Sequence, residues 1–294
     1  MLPELFPAAF FMEVRSLYNI SLDTLYEAWE DAFSDYPVTV TKPELEKMLV
    51  RRGYDPALSF GAFEYGRLVS FILNGTGVYN GQNTVYDTGT GTIKTYRGRG
   101  LVKKIFNESL PQLQKEGYTQ YLLEVLQTNQ PAISIYHDMG FTVSREFNYF
   151  LRPMEGYRLS YDLPQEYRIE EITEVNVTDM AAMCDFNPSW QNSFDSIQRC
   201  YSDFHILGVF TENVLAGYGI SEPTSGDITQ LSVHTDHRRK GIASYILQQL
   251  LKLNRCHQLK IINTDAACTS LTAFFEHNGI ALSGKQYEMV KNIS

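Results

Sequence analysis

The chain has 294 residues, of which 44% are hydrophobic and 20% charged, so it is long enough for two folded domains and unlike a disordered chain. Its formal net charge is −9, whereas general nucleic-acid binders carry a basic surface. No stretch reaches the roughly 18 apolar residues that predict a membrane span. These features exclude a small disulfide-held scaffold and disfavour nucleic-acid and membrane partners.

The N-terminus and the cysteines bear on the cellular compartment. The opening run MLPELFPAAFFMEVR is interrupted by Glu4 and Pro7 and has no basic residue before it, so a secretory signal is not expected. The irregular cysteine spacing predicts neither a CxxC pair nor a zinc site. The cysteines are Cys184, Cys200, Cys256 and Cys268. We therefore expect a cytoplasmic protein with buried, reduced thiols and no metal.

The first half of the chain predicts alternating strands and helices. Ser21 is the predicted N-cap of a helix over 22–33, and Thr41 with Glu44 forms a capping-box signature before a second helix. The pair Tyr65-Gly66 is typical of a hairpin turn. The other predicted elements are strands at 14–18, 58–63, 68–73, 84–93 and 121–126, and helices at 101–113 and 132–139.

The second half predicts the same order of elements, about 140 residues further on, a period too long for a solenoid repeat. The predicted strands are 167–172, 206–210, 215–220, 228–233 and 259–262, and the predicted helices lie near 178–184, 193–200, 242–253 and 271–277.

We therefore predict an α+β fold present twice, each copy a mixed, mostly antiparallel sheet flanked by helices. The predicted N-terminal domain is 1–152 and the C-terminal domain is 165–294. The linker, 153–164, begins and ends with a proline.

In each half, a turn rich in Arg and Gly stands between a predicted strand and a predicted helix. The first turn is Arg97-Gly98-Arg99-Gly100-Leu101-Val102, and the second is Arg238-Arg239-Lys240-Gly241-Ile242-Ala243. The first N–H groups of a helix have no partner within it, and the helix dipole is positive at that end. Glycine allows close approach and arginine adds charge, so each turn predicts a pyrophosphate site.

This order of strand, Arg-x-x-Gly-x-Gly/Ala turn and helix resembles the acyl-coenzyme A loop of the GNAT family of N-acetyltransferases. The second turn fits the family pattern fully, whereas the first has Val102 where the family has a small residue. The resemblance covers about 12–152 and 165–294. It implies that both turns bind acetyl-coenzyme A, with Thr92 near the pantetheine in the first copy and Val233 at the matching position in the second.

The resemblance extends to a catalytic acid in the first copy. Residues 129–141 resemble the family run Asn-x-x-Ala-x-x-x-Tyr-x-x-x-Gly-Phe. This match implies that Tyr136 protonates the departing sulfur and that Asn129 contacts the coenzyme. In the second copy, Phe275 and Cys268 occupy these two positions. Because a phenyl ring cannot donate a proton, the first copy is the predicted catalytic one.

The general base has two candidates in the first copy, Asp87 and Glu124, each of which could act through water. Ordered water and backbone carbonyls could also accept the proton. The predicted function is transfer of an acetyl group from acetyl-coenzyme A to a primary amine of a small molecule or peptide. The alternatives are a noncatalytic acyl-coenzyme A binding module and catalysis in the second copy. Hydroxyl acceptors and longer acyl chains also stay open.

Overall fold

The computed structural model describes residues 12–36 and 39–294. The chain divides into two compact units. Unit 1 runs as far as Glu124 and also contains Pro131–Thr142 and Met289–Ser294, and unit 2 contains Val125–Gln130 and Val143–Glu288. Most of the N-terminal run that bears on a secretory signal, residues 1–11, lies outside the described residues.

The first unit follows the predicted alternation of strands and helices. Its elements are β1 (Met12–Ser16), α1 (Leu22–Phe33), α2 (Lys42–Arg52), β2 (Phe60–Glu64), β3 (Arg67–Tyr79), β4 (Gln82–Thr92), α3 (Leu101–Lys115), β5 (Gln120–Leu126) and α4 (Gln130–Asp138). The strands lie in the order β1-β2-β3-β4-β5. The β4–β5 pair is parallel and the other pairs are antiparallel.

Local sequence signals explain where these elements begin and turn. The Ser21 hydroxyl accepts a hydrogen bond from the Thr24 amide at 3.2 Å, which caps α1. The Thr41 amide donates to Glu44 Oε2 at 2.7 Å, and the capping box predicted before α2 is confirmed. Tyr65 and Gly66 have φ values of 48° and 82°, as a two-residue hairpin turn requires.

Alternating glycines let the core pack closely against β4. A Cβ atom on Gly89 would lie 2.7 Å from the Trp29 ring, and one on Gly91 would lie 2.5 Å from the Phe71 ring. Either distance is shorter than van der Waals contact. The Thr-Gly alternation in β4 therefore makes room for the core beneath α1. That core contains Leu25, Ala28, Trp29, Ala32, Leu45, Leu49, Phe71 and Leu73.

The second unit repeats the scheme. Its elements are β6 (Thr142–Pro153), β7 (Arg168–Glu171), α5 (Val177–Ala181), α6 (Phe194–Arg199), β8 (His205–Thr211), β9 (Val214–Glu222), β10 (Asp227–Val233), α7 (Ile242–Leu253), β11 (Gln258–Asp265), α8 (Thr269–His277) and β12 (Leu282–Asn292). The strand order is β12-β6-β11-β10-β9-β8-β7. The predicted fold class, a mixed sheet with flanking helices in each copy, is confirmed.

The strand β6 follows the first repeat in sequence but lies in unit 2. It pairs antiparallel with β11, from Pro153 opposite Gln258 to Phe147 opposite Asp265. The end of β12 lies in unit 1, where the Ile293 amide donates to the Thr119 carbonyl at 2.9 Å. The compact units therefore differ from the predicted domains 1–152 and 165–294 at Val125–Gln130, at β6 and at Met289–Ser294.

The predicted linker, 153–164, packs against unit 2. The Tyr157 hydroxyl donates to the Asn278 carbonyl at 2.6 Å, and the Tyr161 amide donates to Gln248 Oε1 on α7 at 2.6 Å. Tyr157 is 6% exposed. After Pro153, which ends β6, the segment has no regular secondary structure, but these contacts hold it in place.

Three further observations concern compartment and metal. Within 12–36 and 39–294, no helix is long and apolar enough to cross a membrane. All four cysteines are free and partly exposed, so the expectation that they are buried is wrong. The same residues contain no group of three or more His, Cys, Asp or Glu side chains that could hold a metal. The cytoplasmic location and the absence of a metal stay predictions.

Candidate active site

The site in unit 1 forms where β4 bends beside β5. Their parallel pairing runs from Thr84 opposite Gln120 to Tyr86 opposite Leu122, and both strands continue beyond it. On the other side of β4, Asn74 pairs with Asp87 and Leu73 pairs with Gly89. Thr88 is therefore an extra residue, a β-bulge, and a bulge bends its strand.

At this bulge, Tyr136 meets Asp87. The Tyr136 hydroxyl, from α4, donates to Asp87 Oδ2 at 3.2 Å. The Thr90 hydroxyl donates to the same oxygen at 2.7 Å, and the Gly89 amide donates to Oδ1 at 2.9 Å. Three donors thus hold the carboxylate, and one of them is the predicted catalytic acid.

The surroundings set the charge states of this pair. Burial raises the pKa of Asp87 to about 6, although hydrogen bonds from Thr90 and Tyr136 and the Gly89 amide oppose that rise. Burial, and next the negative charge of Asp87, raise the pKa of Tyr136 well above its ordinary value. At neutral pH, Asp87 is therefore mostly ionised and Tyr136 is protonated, which suits a proton acceptor beside a proton donor.

The second candidate base, Glu124, lies on the opposite face of the sheet. In the parallel register Tyr86 stands opposite Leu122, and because side chains alternate along a strand, Glu124 shares their face and Asp87 does not. Glu124 contacts the buried Tyr86, whose pKa is raised by burial and next by the Glu124 charge. The structure therefore brings Tyr136 and Asp87 together and places Glu124 apart from them.

The first Arg-Gly turn has the shape of an anion site. Gly98 and Gly100 have φ values of 75° and 70°, and Gly100 is the N-cap of α3. In the part of the chain that the structure describes, no atom beyond the adjacent residues lies within 4 Å of where a Cβ would stand on either glycine, so the turn is open to a ligand. Val102, the departure from the family pattern, is partly buried.

Arg97, the first residue of this turn, forms hydrogen bonds with other residues of unit 1. Its two terminal nitrogens donate to the two Asp35 carboxylate oxygens at 2.7 and 2.8 Å. It also donates to the Ala32 carbonyl at 2.8 Å and to the Thr92 carbonyl at 3.3 Å. The contact with Arg97 lowers the pKa of Asp35 to about 2. This geometry makes Arg97 a residue that positions the turn.

The second turn has the same design. Arg238 donates to the Val233 carbonyl at 2.9 Å and to Asp185 Oδ1 at 2.7 Å. Gly241, the N-cap of α7, has a φ of 81°. Arg239 has a φ of 63°, a left-handed conformation that glycine adopts more easily and that Gly98 supplies in unit 1.

Beside the second turn lies an open cleft of about 600 Å³. It is lined by Val233 at the end of β10, by Arg239 and Ala243 of the turn, and by Phe274 of α8. The neighbouring Phe275, at the position of Tyr136, is 1% exposed. Its ring centroid lies 5.1 Å from that of Phe150. The unit 2 residue matching Tyr136 is therefore part of the core.

The bulge recurs in unit 2 without its acidic side chain. In β10 the register shifts between Ile228 and Gln230, so Thr229 matches Thr88. Ile228 therefore occupies the position of Asp87, and unit 2 has neither member of the Tyr136–Asp87 pair.

The remaining coenzyme candidates lie where α4 and α8 begin. The Asn129 amide donates to the Leu126 carbonyl at 2.9 Å, immediately before α4. Cys268 is the N-cap of α8, with its sulfur 3.5 Å from the Ser270 hydroxyl. The sequence analysis missed Asp35 and Asp185, which lie 62 and 53 residues from the arginines they bind and carry no local signal.

The fold agrees with the comparisons to known proteins. The model of the acetyltransferase (GNAT) family matches residues 14–141 and 175–280, more than half of the chain. The chain therefore belongs to the acetyltransferase (GNAT) family, with two copies of its domain, as the sequence predicts.

The curated relatives are similar over part of their length. N-alpha-acetyltransferase MAK3 of Arabidopsis thaliana is 29% identical over 111 residues, which are 37% of this chain and 58% of that protein. N-alpha-acetyltransferase 30 of Saccharomyces cerevisiae is 32% identical over 73 residues, 24% of this chain and 42% of that protein. The chain thus spans about half the length of these two relatives.

Solved structures share the tandem fold at low sequence identity. A tandem GNAT protein from the clavulanic acid biosynthesis pathway has a TM-score of 0.74 and 12% identity, covering 96% of this chain and 99% of that one. A GCN5-related N-acetyltransferase from Sphaerobacter thermophilus has a TM-score of 0.71 and 14% identity, covering 96% of each chain. At this identity the likeness concerns the fold alone.

Proposed function

We propose that unit 1 transfers an acetyl group from acetyl-coenzyme A to a primary amine of a small molecule or peptide. The observation that carries this proposal is the hydrogen bond from Tyr136 to Asp87, at the bulge of β4 and in the same unit as an open Arg-Gly turn. An acid, a base and an anion site thus belong to one compact unit.

The residues of unit 1 suit acetyl-coenzyme A as the donor. The open left-handed glycines and the first N–H groups of α3 fit a pyrophosphate, with Arg99 beside them. Thr92 ends the strand before the turn. These residues would hold the coenzyme, and the donor would supply the thioester when bound.

The Tyr136–Asp87 hydrogen bond offers a path for protons. Ionised Asp87 takes a proton from the attacking amine, directly or through water. Tyr136 donates its hydroxyl proton to the departing sulfur and recovers one from Asp87. Because the tyrosine stays protonated at neutral pH, it can act as the acid in every turnover.

The acceptor class is supported by the names of the relatives and by charge. Both curated relatives described above are N-alpha-acetyltransferases, which supports the α-amino group of a peptide as the acceptor. The net charge of −9 favours the approach of a cationic amine.

Thiol release from acetyl-coenzyme A, measured with a panel of amines, tests this proposal. The panel contains a basic peptide with a free N-terminus, its N-terminally blocked form, a polyamine and an aminoglycoside. We expect at least one amine to accelerate thiol release and to gain an acetyl group by mass spectrometry. Thiol release at the amine-free rate with every compound would overturn the proposal.

A further inference from the structure

We infer that Arg52, at the end of α2, is a positioning residue of unit 1 that orients Asp87 through the backbone of the β4 bulge. The role of Asp87 as a base, which gives this contact its use, rests on the proposed function. Arg52 acts on the carboxylate through the peptide group that joins Thr88 to Gly89.

This peptide group binds a charged side chain at each of its two polar ends. The Arg52 guanidinium donates through Nη1 to the Thr88 carbonyl at 2.6 Å. The N–H of the same peptide group belongs to Gly89, and it donates to Asp87 Oδ1 at 2.9 Å. A charge-assisted hydrogen bond to a carbonyl polarises its peptide group and makes the N–H a stronger donor. The cation and the carboxylate are therefore linked by two hydrogen bonds in series.

The end of α2 is fixed against β3, next to the bulge. Gly53 ends the helix with a φ of 74°, and its carbonyl accepts a hydrogen bond from the Thr76 amide at 3.0 Å. A Cβ atom on Gly75 would overlap the Arg52 carbonyl oxygen and would lie 3.2 Å from the Thr88 methyl carbon. The absence of a side chain on Gly75 thus lets the backbone of Arg52 pack directly on β3, within reach of the bulge.

The titratable groups that interact with Asp87 come from four elements. They are Tyr136 on α4, Tyr121 on β5, Tyr86 on β4 and Arg52 on α2. Burial raises the pKa of each tyrosine, so all three are uncharged at neutral pH. Burial is the largest influence on the pKa of Asp87 and raises it, and the positive charge of Arg52 is among the influences that lower it. Arg52 therefore favours the ionised form of Asp87, which can accept a proton.

Three substitutions on α2 separate the charge from the hydrogen bond. Arg52→Gln keeps an N–H donor for the Thr88 carbonyl and removes the charge, whereas Arg52→Lys keeps both. Arg51→Gln is the matched control, because it removes the same charge one residue earlier on the helix. Carbon NMR of protein labelled at the aspartate carboxyl carbons follows the titration of Asp87 in each variant, and Asp87→Asn identifies its signal.

The titration midpoint of Asp87 should rise when the charge is lost. In Arg52→Gln we expect a rise of about 0.5 to 1 pH unit, less than the roughly 1 to 3 pH units caused by a cation in direct contact. Arg52→Lys and Arg51→Gln should stay within about 0.3 pH unit of the native midpoint. In steady-state thiol release, kcat of Arg52→Gln should be about two- to fivefold below native at about pH 6 and nearly native at about pH 8.

A native midpoint in Arg52→Gln, or an equal rise in Arg51→Gln, would overturn the inference and leave the proposed function standing. The expected rise with an amine panel that shows no transfer would instead overturn the proposed function and leave the action of Arg52 on Asp87 in place. Thermal unfolding checks that each variant is folded. If Arg52→Gln does not fold, Gly75→Ala is measured instead, since its Cβ displaces the Arg52 carbonyl and should raise the midpoint. A native midpoint in Gly75→Ala would then overturn the inference.

Discussion

The two copies of the domain keep the same backbone at the Arg-Gly turn and differ in the side chains at the bulge. The two turns have Gly98 and Arg239 at the same left-handed position, and in the proposed function the backbone N–H groups, which do not depend on the side chain, would bind the anion. Proton transfer depends on particular side chains, and Tyr136 of unit 1 has only Phe275 as its counterpart. In the proposed function, the turn would bind the coenzyme and the side chains at the bulge would carry the proton transfer.

The largest expected effect on catalysis comes from giving unit 1 the phenylalanine that unit 2 has at the position of Tyr136. Tyr136→Phe should lower kcat by about 10²- to 10⁴-fold, the usual range for an acid–base group, because the sulfur would leave without a proton. Steady-state thiol release measures the change. Tyr121→Phe is the matched control, since it removes another buried hydroxyl of the same unit. It should lower the melting temperature, and its loss of kcat should be much smaller than that of Tyr136→Phe. An equal loss of kcat in both variants would contradict the assignment.

The pH dependence of catalysis shows which of the two candidate bases, Asp87 or Glu124, accepts the proton. Asp87 must be ionised to accept a proton, so kcat should fall as the pH drops through about 6, by about tenfold per unit once the pH is well below it. Asp87→Asn should lower kcat and remove this acid limb, whereas Glu124→Gln should keep it. Rate profiles from pH 5 to about 8 measure both. An acid limb that survives in Asp87→Asn would exclude this carboxylate as the base.

The same group predicts a change in stability. Burial raises the pKa of Asp87 from 3.8 to about 6, so the folded state holds this proton more tightly than the unfolded state. The contribution of Asp87 to the free energy of unfolding is therefore greatest below its unfolded pKa and declines as the pH rises through about 6. Asp87→Asn should thus raise the melting temperature more at pH 8 than at about pH 4. A larger gain in melting temperature at the lower pH would contradict a raised pKa of Asp87 in the folded state.

A smaller effect is expected from the aspartates that hold the turns. Asp35→Asn should raise the KM for acetyl-coenzyme A by about two- to fivefold, with a much smaller change in kcat, because partly exposed ion pairs contribute ~1 kcal/mol or less. Asp31→Asn is the matched control, since it removes the 2.7 Å ion pair with Arg67, which lies outside the turn. Equal KM changes in both variants would show that Asp35 does not position the turn.

The smallest expected effect concerns Arg239. Its left-handed conformation costs roughly 1 kcal/mol, but a glycine makes the unfolded chain more flexible, so Arg239→Gly should change the melting temperature only slightly. The reciprocal Gly98→Arg should lower the melting temperature, because it places a side chain on a left-handed residue of unit 1. Calorimetric melting of the pair measures the difference. A stabilising Gly98→Arg would contradict the account of the two turns.

Signals that are local in sequence predicted most elements of both units. The capping residues Ser21 and Thr41, the Tyr65-Gly66 turn and the two Arg-Gly turns act over a few residues, so their structures follow from neighbours along the chain. The register of Tyr136 with Gly140 and Phe141 likewise pointed to its position on α4.

Features that depend on distant pairing were not predictable in the same way. The strands β6 and β12 carry charged residues among their apolar ones, and the partner of β6 is β11, more than a hundred residues later. The ion pair between Asp35 and Arg97 spans 62 residues. The separation of Asp87 from Glu124 onto opposite faces depends on strand register, which only the structure supplies.

Two substitutions test the proposed role of unit 1 most directly: Val102→Trp fills the first turn, and the matched Ala243→Trp fills the cleft beside the second turn. Each variant is loaded with one equivalent of radiolabelled acetyl-coenzyme A and mixed rapidly with the best amine of the panel. We predict that the label passes to the amine in Ala243→Trp, whose first turn is unchanged, and that no label passes to the amine in Val102→Trp. Transfer from Val102→Trp and none from Ala243→Trp would contradict the account.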